Sequence, residues 1–463
     1  MKIIICGAGK VGTSIARHLV NQKNDVTVID RSEELISKLK EKVDLKTIVG
    51  SASNPSVLKD AGGENADMII AVTLHDEINM VACQMAHTFF KIPRKIARLR
   101  TEDFLNPIWR DLYKADNMPI DLIISPELEV ARSIEKQLKA PGANEVVPFM
   151  NDKVELINIS IEENCPLVDT KISDIIDLFQ QNEDPLKNLK ASIIAIMRGD
   201  KLMIPSKGDK IMEADEVFVI VDTSHVKRVM TAFGQDLKPV KKIIVIGGGR
   251  IGFNLVKDIE DYHNEISATV IETNPERANY IADYLTKSLV LNGDGLDQEI
   301  LDEANIKDAD MVLALTNDDE TNIILSAVAK KNNCESLILV NNSEYDKLKD
   351  VLGVEKLINP RMITVSKILK HIHKGKIESV YSISDNQAEI IHAKALKTSR
   401  LINKTLSEAN LPNGIRIGLI KRNNEIIVPN KDTTIETNDE LVFLSMMNDI
   451  EAAEELFQVR NEY

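Results

Sequence analysis

Ile3-Ile4-Ile5-Cys6-Gly7-Ala8-Gly9-Lys10-Val11-Gly12 opens the chain: a short apolar run that gives way to glycines spaced G-x-G-x-x-G. The pattern predicts a buried strand, a tight turn and a helix whose N-terminus faces a phosphate. The first glycine lets the chain turn out of the strand, the second lets backbone approach a pyrophosphate, and the third lets helix pack closely on strand. A single such motif is equally served by plain helix–strand packing. Here Val28-Ile29-Asp30, Gly50-Ser51 and Ala71-Val72-Thr73 follow in order. About 240 residues later the series returns as Ile243-Ile244-Val245-Ile246-Gly247-Gly248-Gly249-Arg250-Ile251-Gly252, Val270-Ile271-Glu272, Gly293-Asp294 and Ala314-Leu315-Thr316.

Asp30 and Glu272 each end an apolar run just over 20 residues past the first glycine of their copy. A carboxylate there accepts hydrogen bonds from both ribose hydroxyls and repels a 2′-phosphate, which favours NAD(H) or an unmodified adenine nucleotide over NADP. Arg31, next to Asp30, is the one feature that favours the phosphorylated form. Thr73 and Thr316 end the fourth strand of each unit, at the carboxyl edge where such folds bind ligands. Packing without a ligand is the alternative for both glycine sets. The second set, Gly247-Gly248-Gly249, makes the looser turn.

Continuous apolar runs at Lys2–Cys6, Val26–Ile29, Lys46–Val49, Met68–Val72 and Ile96–Leu99 predict strands buried on both faces, hence a parallel sheet covered by helices. Four units follow: a Rossmann-like doubly wound α/β domain over 1–125, a small α+β domain over 140–235, a second Rossmann-like domain over 240–370 and a second small α+β domain over 376–463. Pro141-Gly142 and Pro148 break the pattern after the first unit. In the first small domain, strands are expected at Val154–Ile161, Ser192–Met197 and Glu216–Val221, with a hairpin turn at Arg198-Gly199-Asp200-Lys201. Leu237-Lys238-Pro239-Val240-Lys241-Lys242 reads as the linker between the halves. Pro205, Asp215 and Val217 match Pro429, Asp439 and Leu441 at one offset of about 224, and Arg198 and Arg422 keep that register. The glycine segments have the larger offset, and polar Gln180–Lys190 is a place for the extra length. A whole two-domain module is duplicated, with a repeat far longer than a solenoid period.

The bulk numbers exclude several classes. A net charge of -15 and 4% aromatic residues argue against a nucleic-acid binder, which needs a basic face or stacking platforms. Cys6, Cys83, Cys165 and Cys334 are scattered, as expected of reduced cytoplasmic thiols. The first residues enter a strand with no signal-peptide pattern, and no apolar run approaches a membrane span, so membrane work requires a partner. The acids Asp76-Glu77 and Asp318-Asp319-Glu320 open helices, where they favour the helix dipole; cation or nucleotide sensing is the alternative. His371 and His373 are two apart and face different sides of a helix, a poor metal pair. His75 reads as a loop residue beside the first site. No G-x-S-x-G, H-E-x-x-H, G-K-[ST] or reactive-cysteine context is present. Two nucleotide units without a catalytic domain read as sensors, not as an enzyme; the rival is an NAD-dependent oxidoreductase.

Longer strings carry a resemblance. Met1-Lys2-Ile3-Ile4-Ile5-Cys6-Gly7-Ala8-Gly9-Lys10-Val11-Gly12, Asp76-Glu77-Ile78-Asn79-Met80-Val81-Ala82-Cys83-Gln84, Ile96-Ala97-Arg98-Leu99-Arg100, Pro119-Ile120-Asp121-Leu122-Ile123-Ile124-Ser125-Pro126-Glu127 and Ala314-Leu315-Thr316-Asn317-Asp318-Asp319-Glu320 resemble the TrkA family, regulatory subunits of bacterial Trk potassium uptake systems. The resemblance spans essentially the whole chain. It implies two RCK modules, each a Rossmann-like N-lobe with a small C-lobe, and a homo-oligomeric ring, commonly a tetramer, beneath a membrane potassium-translocating subunit. NAD(H), ATP and ADP are the implied regulatory ligands, and the inner face of the plasma membrane the implied location. Carried over, the first site comprises Gly7, Ala8, Gly9, Lys10, Val11, Asp30, Thr73, Leu74 and Arg98, with Gly12 from the glycine motif. The second comprises Gly247, Gly248, Gly249, Arg250, Ile251, Glu272, Gly293 and Asp294, with Gly252. Gly50-Ser51 departs from the G-D pattern kept at Gly293-Asp294, so the two sites are expected to differ in ligand. Regulation of a potassium efflux system is a second rival.

Overall fold

The computed structural model describes residues 1–114, 116–140, 142–180, 189–235, 240–342, 344–345, 349–354, 356–369, 377–383 and 387–457. Pro141, residues 181–188, Leu237-Lys238-Pro239, His371 and His373 lie outside the described residues.

The opening apolar run forms β1 (Lys2–Cys6), followed by β2 (Asp25–Asp30), β3 (Lys46–Val49), β4 (Met68–Ala71), β5 (Arg94–Arg98) and β6 (Leu122–Ile124). All pair in parallel in the order β3-β2-β1-β4-β5-β6. Two cores flank the sheet because successive side chains alternate in direction. Ile3, Ile5, Val26 and Val28 enter one, while Ile4, Cys6, Ile29 and Ile69 enter the other. Strand order reverses between β1 and β4, which opens a crevice at the carboxyl edge. The helix Pro360–Leu369 lies in the stretch that the sequence groups with the second Rossmann-like unit. From Arg361 onward it belongs to the compact body of Met1–Glu129. Its Val365 and Ile368 pack with Ile15 and Leu19.

The second compact body contains three sheets. The first small sheet comprises β7 (Glu145–Phe149), β8 (Val154–Ser160), β9 (Ala191–Arg198), β10 (Lys201–Met203) and β11 (Glu216–Asp222), antiparallel in the order β10-β9-β11-β8-β7. Pro148 is a correction to the sequence reading: it sits inside β7 rather than breaking the chain. Among the described residues β7 pairs only with β8, and an edge strand tolerates a residue that has no N–H to donate. The hairpin turn falls between β9 and β10 as expected. The second Rossmann sheet repeats the first with β12 (Lys242–Ile246), β13 (Ser267–Glu272), β14 (Leu289–Asn292), β15 (Met311–Ala314), β16 (Glu335–Leu339) and β17 (Lys356–Ile358), ordered β14-β13-β12-β15-β16-β17. The second small sheet contains β18 (Ile377–Ile383), β19 (Ala388–Lys394), β20 (Ile415–Arg422), β21 (Glu425–Ile427) and β22 (Glu440–Met446), ordered β18-β19-β22-β20-β21.

Matching bonds fix the register of the duplication. Arg198 donates through Nε and Nη2 to the buried Asp215 carboxylate, both at 2.8 Å, and through Nη2 to the Lys210 carbonyl. Arg422 repeats this on Asp439, at 2.9 and 2.8 Å, and on the Thr434 carbonyl. The two small sheets share one core, in which Leu156, Ile194, Phe218 and Ile220 meet Ile390, Leu419, Val442 and Leu444. The four cysteines are buried thiols rather than disulfides, and burial pushes Cys83 up to about 12. Among the described residues no helix is long and apolar enough to cross a membrane.

Candidate ligand-binding sites

Gly7 leaves β1 at φ +118°, a conformation that side chains resist, and a Cβ there would stand 3.0 Å from the Val72 carbonyl oxygen. A Cβ on Gly12 would sit 1.9 Å from the Gly7 carbonyl oxygen, so this glycine lets the helix Lys10–Asn21 lie against the turn. Gly247 (φ +106°) and Gly252 repeat both constraints. The helix Lys10–Asn21 starts at Gly9 with no side-chain cap and no acid in its first turn. Its first N–H groups and positive dipole end are left for an outside acceptor. Gly9 has nothing within 4 Å of a would-be Cβ.

The carboxyl ends of four adjacent strands supply the rest. On β2, Asp30 Oδ2 accepts the Ala8 N–H at 2.6 Å and Oδ1 the Ser32 N–H at 2.8 Å, so the turn and the acid hold one another. Past β4, Thr73 faces the crevice beside exposed Leu74 and His75. On β5, Arg98 is buried, and burial is the main cause of a guanidinium pKa below the ordinary value; neighbouring Arg100 adds to it, while Glu127 and Asp76 oppose it. Among the described residues the buried Arg98 Nε has no hydrogen-bond partner. A cavity of about 460 Å³ joins these groups. Of the first set read from the sequence, Gly7, Gly9, Lys10, Val11, Asp30, Thr73, Leu74 and Arg98 line it; Ala8 and Gly12 do not. Leu35, Arg31, Gly50 and His75 also line it, and Arg31 Nη2 donates to Ser51 Oγ at 2.8 Å.

The second set has the same backbone plan. Glu272 Oε2 accepts the Gly248 N–H and Oε1 the Asn274 N–H, both at 2.8 Å. Arg250 opens the helix Arg250–Tyr262, where Ile251 is half-buried and Gly249 is unobstructed. Gly293 is a close-packing position, with Ile300 2.6 Å from a would-be Cβ, and Asp294 Oδ1 accepts the Leu296 N–H at 2.9 Å. Arg277, not singled out in the sequence, lies against the turn: its Nε donates to the Gly248 carbonyl at 2.8 Å and its guanidinium stacks on Phe253 and Tyr280.

The acidic clusters do more than favour a dipole. Asp318 caps its helix by accepting the Thr321 N–H at 2.7 Å. Asp76 Oδ2 instead accepts the N–H groups of Arg100 and Thr101, and Asp319 those of Asn341 and Asn342, so each ties down the loop after the fifth strand of its sheet. Asn79 and Asn322, fully buried one turn further on, were missed as site residues. The available signal was a repeated spacing, Asp76-x-x-Asn79 and Asp319-x-x-Asn322. Among the described residues no group of His, Cys, Asp and Glu is placed to hold a metal.

A parallel sheet with a glycine turn and an acid at its crevice, followed by a small antiparallel domain and then repeated, defines a tandem of two-lobed Rossmann-type modules. The TrkA-N domain model matches residues 3–126 and 243–360 and the TrkA-C domain model residues 156–234 and 393–458, and the chain belongs to the TrkA family. It is 41% identical to Trk system potassium uptake protein TrkA of Azorhizobium caulinodans over the whole of both chains, and 36% identical to that of Haemophilus influenzae over 99% of each. These relatives are named as transport proteins, not as enzymes. Among solved structures, the GsuK RCK domain shares the fold, with a TM-score of 0.59 at 16% identity over 98% of this chain and 94% of that one. A GsuK channel described as bound to NAD gives 0.59 at 17% identity over 98% and 78%.

Proposed function

We propose that this chain is a nucleotide-sensing regulatory subunit of a Trk-type potassium uptake system, with NAD(H) as ligand and ATP and ADP as alternatives. The observation that carries the reading is the crevice itself: Asp30 on β2, the uncapped helix after β1 and Arg98 on β5, whose buried Nε has no hydrogen-bond partner among the described residues, line one cavity. Strand spacing places the β2 and β5 ends roughly 14 Å apart, the scale of an extended adenosine polyphosphate. In this reading Asp30 accepts from the ribose hydroxyls, the helix N-terminus receives the first phosphates, and Lys10 and Arg98 meet the charge beyond them. Glu272 and the Gly247–Gly252 turn form a second site of the same plan.

A bound ligand shifts a conformational equilibrium only by its differential affinity for the two states. A hundredfold preference supplies about 2.7 kcal/mol, and a homo-oligomeric ring, most simply a tetramer, applies that at every copy. Such a ring sits on the cytoplasmic side of the membrane, held there by the potassium-translocating subunit that it gates. Titration calorimetry of the full chain with NADH, ATP and ADP tests the ligand reading: binding of none of them overturns it. Co-purification with a membrane subunit, together with steady NADH absorbance across a panel of small substrates, tests the rest.

A further inference from the structure

We propose that Asn79 is a positioning residue that gives the first site its preference for ligands carrying charge beyond the first phosphate, by fixing Arg98 relative to Thr73. The proposal rests on the nucleotide reading of that pocket. The pairing of β4 with β5 ends at Ala71↔Ala97, where the strands part to form the crevice. Beyond that point Asn79 bridges them. Its Oδ1 accepts the Thr73 N–H at 2.9 Å and the Thr73 hydroxyl at 2.7 Å. Its Nδ2 donates to the Thr73 carbonyl at 3.2 Å and to the Arg98 carbonyl at 2.8 Å. A fully buried amide whose acceptor and both donors are engaged acts as an extra rung of the ladder, and such networks are rigid because no member is spare.

The second half supplies an internal control. Asn322 makes the same four bonds, to the Thr316 N–H, hydroxyl and carbonyl and to the Leu339 carbonyl, past a ladder that ends at Ala314↔Ile338. The rung is the same, but the residue it fixes is an apolar leucine. The asparagine therefore shapes both crevices, and only in the first does it aim a charge. AMP reaches from β2 to the turn after β1; ATP extends toward β5.

The test compares ATP and AMP binding by calorimetry on the full chain, in a Glu272→Ala background so that the first site is read. Asn79→Asp keeps the two acceptor contacts and turns a carboxylate oxygen toward two carbonyls. The ATP-to-AMP affinity ratio is expected to fall about tenfold, while AMP affinity changes less than about twofold. Asn322→Asp is expected to leave the ratio unchanged, and Asn79→Asp is expected to add nothing in an Arg98→Leu background. Equal weakening of ATP and AMP, or a further fall of the ratio on top of Arg98→Leu, overturns the positioning role. If Asn79→Asp does not fold, Asn79→Ser removes the amide that spans Thr73 and the Arg98 carbonyl without adding charge, and carries the same ratio test. A parent chain that binds neither nucleotide overturns the reading of the pocket; one that binds both without preferring ATP overturns the role of Asn79 alone.

Discussion

The two glycine turns share a backbone but not a set of side chains. In the first, the Ala8 carbonyl is capped by the Thr13 hydroxyl at 3.0 Å; in the second, the matching Gly248 carbonyl is capped by Arg277, and Phe253 in Thr13's place is the surface on which that guanidinium stacks. Arg277 stands where the first site has Leu35. Arg98 gives way to Leu339, Arg31 to Thr273, His75 to Asp318 and Ser51 to Asp294. The first crevice thus has a cationic far end, and the second has acids at two of the matching positions. Duplication kept what the backbone requires, the positive φ at Gly7 and Gly247 and the close approach at Gly12 and Gly252, while the charges around the two crevices diverged.

The most severe way to break this comparison is at the glycines themselves. Gly12→Ala places a methyl 1.9 Å from a carbonyl oxygen and should cost about 3 kcal/mol in denaturant unfolding, with loss of first-site binding. Gly9→Ala meets no protein atom within 4 Å and should leave stability within about 0.5 kcal/mol while weakening nucleotide affinity at least about tenfold. Unchanged affinity in Gly9→Ala returns the motif to plain packing. Next in size is an exchange of the far ends. Arg98→Leu should lower ATP affinity at the first site about tenfold and spare AMP, because a charge-assisted contact is lost. Leu339→Arg should raise ATP affinity at the second site. A loss for both nucleotides in Arg98→Leu would mean that the arginine supports the fold and not the ligand.

Much of this was legible in the sequence because it is written in backbone chemistry. Continuous apolar runs marked the parallel strands, glycine spacing marked the turns, and the Arg198–Asp215 and Arg422–Asp439 pairs stood at one offset. Less legible were features that arise from three-dimensional neighbourhood. Pro148 read as a breaker because its strand's edge position is a property of the sheet. Asn79 is marked by the repeated Asp76-x-x-Asn79 spacing and not by hydrophobic periodicity, since its work is to bond a segment 19 residues away. The packing of Val365 and Ile368 with Ile15 and Leu19 joins residues more than 300 apart, which no local pattern encodes. Arg277 was not singled out because the carbonyl it caps, that of Gly248, lies 29 residues away in the chain.

Arg277 yields a smaller effect. Arg277→Leu restores the first-site residue, Leu35, and should destabilise the chain by about 1 kcal/mol, by removing a carbonyl cap and a cation–aromatic contact. Leu35→Arg in the first site has no aromatic at Thr13 to stack on, so the reverse exchange should not stabilise. Denaturant unfolding of both variants checks this, and a gain from Leu35→Arg would show that the two caps are interchangeable.

The smallest effect separates the halves by pH. Glu260, in the helix Arg250–Tyr262, is buried, which alone would raise its pKa. The N–H groups of Thr286, Lys287 and Ser288 all donate to its carboxylate at 2.7 to 2.9 Å, and their combined pull lowers the pKa below the usual 4.5. The first half has Val20 at the matching place, which has no carboxylate to make such a clamp. A folded-state pKa below the unfolded one means that the ionised group stabilises the fold fully above about pH 4.5, and that this stability is lost as pH falls through the lowered folded value. Melting curves between pH 6 and pH 3 should therefore show Glu260→Gln converging with the parent chain on the acid side and falling below it near neutrality. Hydrogen exchange at Thr286, Lys287 and Ser288 localises the effect: opening confined to those amides ties it to the second Rossmann sheet. A constant gap between the two proteins across the whole range would mean that the carboxylate acts through shape and not through its charge.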